Sequence, residues 1–257
     1  MIRSLIEKLS RRVVFKRRLP SSFGGRSLYV TPEGGLRYWK PTLQYTDDGF
    51  FRLIETFVRP GDTVWDIGAN LGLFLFAAAH KTGPSGQCLA IEPDVWLASL
   101  LQRSIQLNSD LNIDVLPFAL SDQVGLARFN IAQRARTTNY LDVVKGSTQT
   151  GGIRHSVLVP VSTVDTLLTQ YGKPDLVKID VETAEHLVLK GSVTLLSKVR
   201  PAIYCEVADE NAKEVQALLL QHNYRLLDGD KSSFPFAERP VCNTLALPAE
   251  HWFLKQR

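Results

Sequence analysis

Asp66, Gly68, Asn70 and Gly72 place a carboxylate, a carboxamide and two glycines at every second position of one short stretch. A carboxylate accepts hydrogen bonds from cations and hydroxyls. Glycine lets a turn bring backbone N–H groups close to a ligand. Glu92 stands 24 residues beyond Gly68, near the interval at which an acid meets ribose hydroxyls in doubly wound nucleotide-binding sheets. A second acidic group comprises Asp180, Glu182, Glu185 and, further on, Glu206. Carboxylates of this kind can take a proton from an aliphatic hydroxyl or hold a Lewis-acid metal. No His-rich ligand spacing accompanies them, so no metal is expected.

The elements that position these groups are legible around them. Val64 to Ile67 is a short apolar run suited to a parallel strand covered on both faces, and it contains Asp66. Gly68 and Gly72 then turn the chain into a helix over 71–81, whose N-terminus presents backbone donors. A dinucleotide fingerprint would need glycines at 68, 70 and 73, and only the first is present. No phosphate-cradling G-x-x-x-x-G-K-[ST] occurs. A strand-end acid followed by G-x-N-x-G suits a ligand with an aminoacyl group and no pyrophosphate, and S-adenosylmethionine (SAM) is such a ligand. Asp66 would receive its ammonium, directly or through water. A turn that holds no ligand is the plainer alternative.

Glu92 closes a second strand, 87–91, and Phe118 and Ala119 follow a third, 113–116, where an adenine ring would lie. Asp180 and Glu182 close a fourth strand, 175–180, beside the first across the switch point where open α/β sheets bind ligands. Alternation directs Lys178, Asp180 and Glu182 toward one side, and Glu182 and Glu185 converge if a helix starts there. Glu206 ends the fifth strand, 202–206. Helices over 51–58, 95–107, 163–171, 184–191 and 210–221 and strands over 224–228 and 241–247 complete seven strands around one core. Strands over 125–131 and 157–161 flank a polar stretch carrying Arg134, Arg136, Tyr140, Lys145, Arg154 and His155. That stretch is either a solvated insertion or a loop that covers substrate.

The chain has 257 residues and a formal charge of +4, but residues 1–18 alone carry seven basic groups against Glu7. The remainder is slightly acidic, so no global basic field for nucleic acid is expected. Ile2, Leu5, Ile6, Leu9 and Val13 form one face of a basic helix over this segment. Its expected place is docked on the domain surface, with weak contact to an anionic membrane as the alternative. Ser21 to Gly25 reads as a linker and Pro32 to Gly35 as a turn. The lead-in thus runs over 1–50 and the main domain over 51–257. Cys88, Cys205 and Cys242 form no pair, and the first two sit in apolar runs, as buried free thiols in a reducing cytosol would. No apolar run is long enough to span a membrane, so a cytoplasmic protein, or one peripheral to a membrane, is expected.

The segments 65–72, Ile91-Glu92-Pro93, 119–122, 159–165 and 178–185 together resemble FkbM-type SAM-dependent methyltransferases over about residues 50–210. The resemblance implies a class I methyltransferase (Rossmann-like) fold, α/β, with seven mostly parallel strands in the order 3-2-1-4-5-7-6 and the seventh antiparallel. It implies SAM as cofactor, held by Asp66, Gly68, Asn70, Gly72 and Glu92 with Phe118 and Ala119 near adenine. It also implies methyl transfer to a hydroxyl of a sugar or natural-product scaffold, and Asp180, Glu182 and Glu206 are the candidates for its catalytic groups. Thr183 stands where the family pattern usually has glycine, so a left-handed backbone there is costly. A nucleic-acid methyltransferase is the first rival, but no Asp-Pro-Pro-Tyr or Asn-Pro-Pro-Tyr motif is present. A non-catalytic, membrane-associated binding protein on the same fold is the second.

Overall fold

In a computed structural model, residues 11–43, 48–144, 146 and 150–256 are described. The chain enters as an antiparallel pair, β1 (Phe15–Arg18) and β2 (Ser27–Val30), in which Phe15 opposes Val30 and Arg18 opposes Ser27. This corrects the expected basic helix over 1–18 across its last turn; residues 1–10 lie outside the described residues. β-branched and aromatic residues favour the extended form here, and alternation buries one side of β2 through Leu28 and Val30. The expected linker at 21–25 is a 3-10 turn over Ser21–Phe23 that buries Phe23. A second 3-10 turn, Pro32–Gly34, is capped by the Thr31 side chain, and a third covers Leu36–Trp39.

Helix α1 (Asp48–Phe57) leads into β3 (Thr63–Ile67), α2 (Leu73–Thr82), β4 (Gln87–Ile91), α3 (Val95–Gln106) and β5 (Ile113–Leu116). Asp94 caps α3 by accepting from the N–H groups of Trp96 and Leu97. After a four-stranded insertion come α4 (Val164–Tyr171), β10 (Leu176–Ile179), α5 (Glu185–Lys190), β11 (Ala202–Glu206), α6 (Ala212–Gln221), β12 (Tyr224–Asp228) and β13 (Asn243–Pro248). The central sheet runs β12-β13-β11-β10-β3-β4-β5. All its pairs are parallel except those of β13, which lies antiparallel to both β11 and β12.

The insertion consists of β6 (Ala119–Leu120), β7 (Gly125–Ala132), β8 (Tyr140–Leu141) and β9 (Ile153–Ser162), ordered β6-β9-β7-β8. Strand β9 begins four residues before the expected 157, so Arg154 and His155 belong to a ladder and not to a loop. Lys145 lies outside the described residues.

Each face of the central sheet carries its own core. On one side Val64, α2 and α3 pack with the lead-in residues Leu19, Phe23, Leu28 and Tyr38. On the other, Trp65 and Ile67 pack with residues of α4, α5 and α6. Alternation along β3 thus sends successive side chains into opposite cores. The lead-in is pinned to α3 and the turn after it by polar bonds: the Tyr29 N–H donates to Ser104 Oγ at 2.8 Å and Asn108 Nδ2 donates to the Ser27 carbonyl at 2.8 Å. Cys88 and Cys205 are buried free thiols and Cys242 is an exposed one.

Candidate active site

Parallel strands end together, and at the carboxyl end of β3, β4, β10 and β11 lies a cavity of about 340 Å³. Of the strand-end and glycine-turn residues singled out from the sequence, all but Gly72 and Glu185 line it: Asp66, Gly68, Asn70, Glu92, Phe118, Ala119, Asp180, Glu182 and Glu206. Of those singled out in the polar stretch only Arg136 does, while Arg134, Tyr140, Arg154 and His155 do not. Gly72 instead takes the left-handed N-cap position of α2 at φ 81°, where a Cβ would meet Leu101 Cδ2 at 2.7 Å and Phe76 Cδ2 at 2.8 Å. It serves packing and the turn. Gly68 lines the cavity, but its missing side chain makes room for the carbonyl of Asp180, not for a ligand.

A buried lysine organises the middle of the site. Lys178 Nζ lies 3.1 Å from Asp66 Oδ1, 3.2 Å from Asp180 Oδ2 and 3.4 Å from the Gly68 carbonyl, and it sits over the Phe50 ring. Burial opposes its charge, yet the carboxylates of Asp180 and Asp66 outweigh that and raise its pKa. Burial raises the Asp66 carboxyl despite the lysine, with the Asp180 charge adding to the rise. Asp66 Oδ2 is sealed from solvent with no hydrogen-bond partner among the described residues, as is Asn70 Oδ1. Asn70 itself holds φ 52°, a conformation that asparagine tolerates better than most residues.

Glu92 accepts the Asn70 N–H on Oε2 and the Asp94 N–H on Oε1, both at 2.8 Å. Burial, reinforced by the Asp94 charge, pushes its pKa up to about 8. Opposite, burial and the Asp180 charge take Glu182 to about 9. The Asp180 charge and then burial take Glu206 to about 7. Glu182 lines the cavity and Glu185 does not. Glu185 turns back to accept the Thr183 N–H at 2.8 Å and Asn211 Nδ2 at 3.0 Å, while Asn211 also donates to the Thr183 carbonyl at 2.7 Å. This brace holds Glu182 and Thr183 at φ 47° and 70° although neither is glycine. Among the described residues no group of three or more His, Cys, Asp or Glu side chains is arranged to hold a metal ion.

The other walls come from segments that strand-end reasoning did not reach. The lead-in supplies Arg37 and Tyr38, α1 supplies Phe50, and β13 supplies Asn243, which pairs with Glu206 across the strands. The insertion supplies Arg136, Asn139 and Leu141 and so covers the cavity. It is fastened by Arg136, which donates to Glu33 Oε2 at 2.6 Å and also bonds Asp94. Arg154 reaches Glu33 at 3.2 Å and Asn139 Nδ2 reaches Asp94 Oδ2 at 2.9 Å. Burial opposes the Glu33 charge, but these guanidinium groups hold its pKa below the usual range.

Unpaired buried acceptors at Asp66 and Asn70, with Glu92 beside them, suit a cationic ligand rich in N–H and O–H donors, which SAM is. A mostly parallel sheet flanked by helices, with such a cavity at its strand ends, is the architecture of an α/β ligand-binding domain. A model of the methyltransferase FkbM domain matches residues 66–226, and the chain belongs to that family. A solved methyltransferase FkbM from Methylobacillus flagellatus KT is similar at 16% identity and TM-score 0.50, over 77% of this chain and 50% of that one. The chain therefore spans about half the length of that relative, and at this identity the likeness is one of fold. A precorrin-6y C5,15-methyltransferase from Geobacter metallireducens GS-15 shares 12% identity at TM-score 0.45, over 76% of this chain and 87% of its own. No curated protein matched the chain. Among the described residues no helix is long and apolar enough to cross a membrane.

Proposed function

We propose that this domain transfers a methyl group from SAM to a hydroxyl oxygen of a small molecule of the sugar or natural-product kind. SAM, when bound, supplies an electrophilic methyl carried on a sulfonium centre. Asp66, Asn70 and Glu92 are the hydrogen-bonding residues of the cofactor side, and Phe118 and Ala119 offer the adenine an apolar surface. Gly68 and Gly72 act there through the turn that they allow. Asp180, Glu182 and Glu206 form the acceptor side. Glu206, poised at about 7, takes the hydroxyl proton. Asp180, paired with Lys178, orients the acceptor by accepting a hydrogen bond from a neighbouring hydroxyl of the same molecule. Glu182, at about 9, is protonated at neutral pH and donates to a second oxygen of the acceptor. The insertion, through Arg136 and Asn139, excludes water from the cavity. Methyl transfer is an in-line displacement, so most of the catalysis asked of the protein is positioning.

The observation that carries this reading is the single Lys178 ammonium shared by Asp66 and Asp180, which fixes the cofactor side and the acceptor side to each other. The test is a pair of carboxamide variants, Asp180→Asn and Glu206→Gln. Both should keep SAM affinity within several-fold while methyl transfer falls by about a hundredfold or more. The wild-type rate should rise with pH through about 7, and the Glu206→Gln rate should not. Acceptors are sought in cell extract, as molecules that gain one methyl group only with active protein. Loss of SAM affinity in both variants would overturn this division of the cavity.

A further inference from the structure

The charge of this chain is divided unevenly. Residues 11–43 hold eight basic side chains against one acid, Glu33. That acid is buried and already taken up by Arg136 and Arg154. Residues 44–257 carry an excess of acid over base. The positive field of the molecule therefore belongs to the lead-in, and the lead-in is also a wall of the cavity.

Within it, one 3-10 turn faces two ways. Of the residues in Leu36–Trp39, Arg37 and Tyr38 line the cavity. Leu36 and Trp39 are 38% and 41% exposed, large apolar side chains turned toward solvent. The turn is tied to β1: the Phe15 and Trp39 rings lie 5.3 Å apart, the Arg17 guanidinium covers Phe15, and Arg17 Nε donates to the Lys40 carbonyl at 2.7 Å. Lys16 and Arg18, with Pro41 and Thr42, border a shallow groove alongside. Lys16, Arg18 and Lys40 are all exposed. The result is an exposed leucine and tryptophan beside Arg17 and Lys40 at the rim of the candidate active site, with Lys16 and Arg18 along the adjoining groove.

The geometry points to this face as a docking surface for an anionic phospholipid bilayer, with the cavity mouth turned toward the lipid headgroups. Each basic side chain near an anionic surface adds binding energy that salt screens. A tryptophan with an apolar neighbour is the type of side chain that settles at the headgroup boundary. A nucleic acid would also answer the charge, but it gives no role to Leu36 beside Trp39. An acceptor anchored in the bilayer would reach Arg37 and Tyr38 without leaving the surface; this last step rests on the methyl-transfer reading, whereas the docking surface does not.

The experiment is co-sedimentation of the full chain with vesicles of mixed phosphatidylglycerol and phosphatidylcholine, and with phosphatidylcholine vesicles alone. Binding is expected to the anionic vesicles only, with release on raising the salt. The double variant Lys16→Glu/Arg18→Glu should bind at least about tenfold more weakly. Trp39→Ser should weaken binding several-fold with SAM affinity unchanged. Lys40→Glu, outside β1, repeats the charge test should the double variant melt early. Absence of binding to anionic vesicles at low salt would overturn the proposal. So would undiminished binding by folded Lys16→Glu/Arg18→Glu or Lys40→Glu protein, or displacement from vesicles by equimolar RNA.

Discussion

The main-chain carbonyl of Asp180 fills the space that a Cβ on Gly68 would need. Around this contact, the Gly68 N–H donates to the Ile91 carbonyl and the Asp180 N–H to the Ile67 carbonyl, both at 2.9 Å. Gly68 also has φ 80°. The glycine is thus a seam between β3 and β10 before it is anything to a ligand. Gly68→Ala should cost more than about 2 kcal/mol of stability, since the left-handed backbone alone costs about 1–2 kcal/mol and the carbonyl must also move. Urea denaturation without ligand measures this. A variant as stable as the wild type that failed to bind SAM would return Gly68 to a purely ligand-facing role.

Lys178→Met removes the one cation between two carboxylates. Breaking a buried pair on one side typically costs about 3–5 kcal/mol, because the remaining charge is left uncompensated. Adding Asp66→Asn should recover part of that loss. Equal stability of the single and double variants would show that Asp66 and Lys178 do not depend on each other.

The acids of the cavity set an unusual pH dependence. Glu92, Glu182 and Glu206 stand at about 8, 9 and 7, against an ordinary value of 4.5. Raised carboxyls bind more protons folded than unfolded, so their contribution is full below 4.5 and is lost as the pH climbs through 7 to 9. The melting temperature should fall by several degrees between about pH 6 and 9. Glu182→Gln should flatten the upper part of that fall. A melting temperature that climbs toward pH 9 would contradict this.

Arg136 and Arg154 both reach Glu33, but not equally. Arg136 also satisfies Asp94, whereas Nε and Nη2 of Arg154 are buried with no hydrogen-bond partner among the described residues. Arg136→Ala should therefore cost about 1–3 kcal/mol, the scale of buried groups left unsatisfied, and Arg154→Ala distinctly less. Thermal unfolding of the two variants compares them directly, and the reverse order would show that Arg154 is the main fastening.

Much of the site could be read from the chain because parallel strands carry their functional groups at their ends. Asp66, Glu92 and Glu206 each close or nearly close an apolar run, and all three face the cavity. Gly72 and Glu185 were legible as motif members but not in their roles, since packing against Leu101 and bonding to Asn211 are contacts across the fold. Tyr38, Phe50 and Asn243 carry no local signal at all; they reach the cavity only through the way distant segments stack. The lead-in misled for another reason. Period-3.6 apolar spacing in residues 1–13 extended a helix into Phe15–Arg18, where pairing with β2 outweighs the pattern.

The fastening by Arg136 carries a consequence for the order in which the molecule assembles. Glu33 meets Arg136 across 103 residues of chain and Arg154 across 121. During synthesis the turn that holds Glu33 leaves the ribosome well before either arginine exists, at about 5–20 residues per second. Its carboxylate is then solvated, and burying it must wait for a long loop to close. The pairing of β3 with β4 and the packing of α2 against them draw on contacts much nearer in sequence. The cavity roof thus cannot close until residues far down the chain are made, a condition it shares with the β3–β10 pairing at the centre of the sheet.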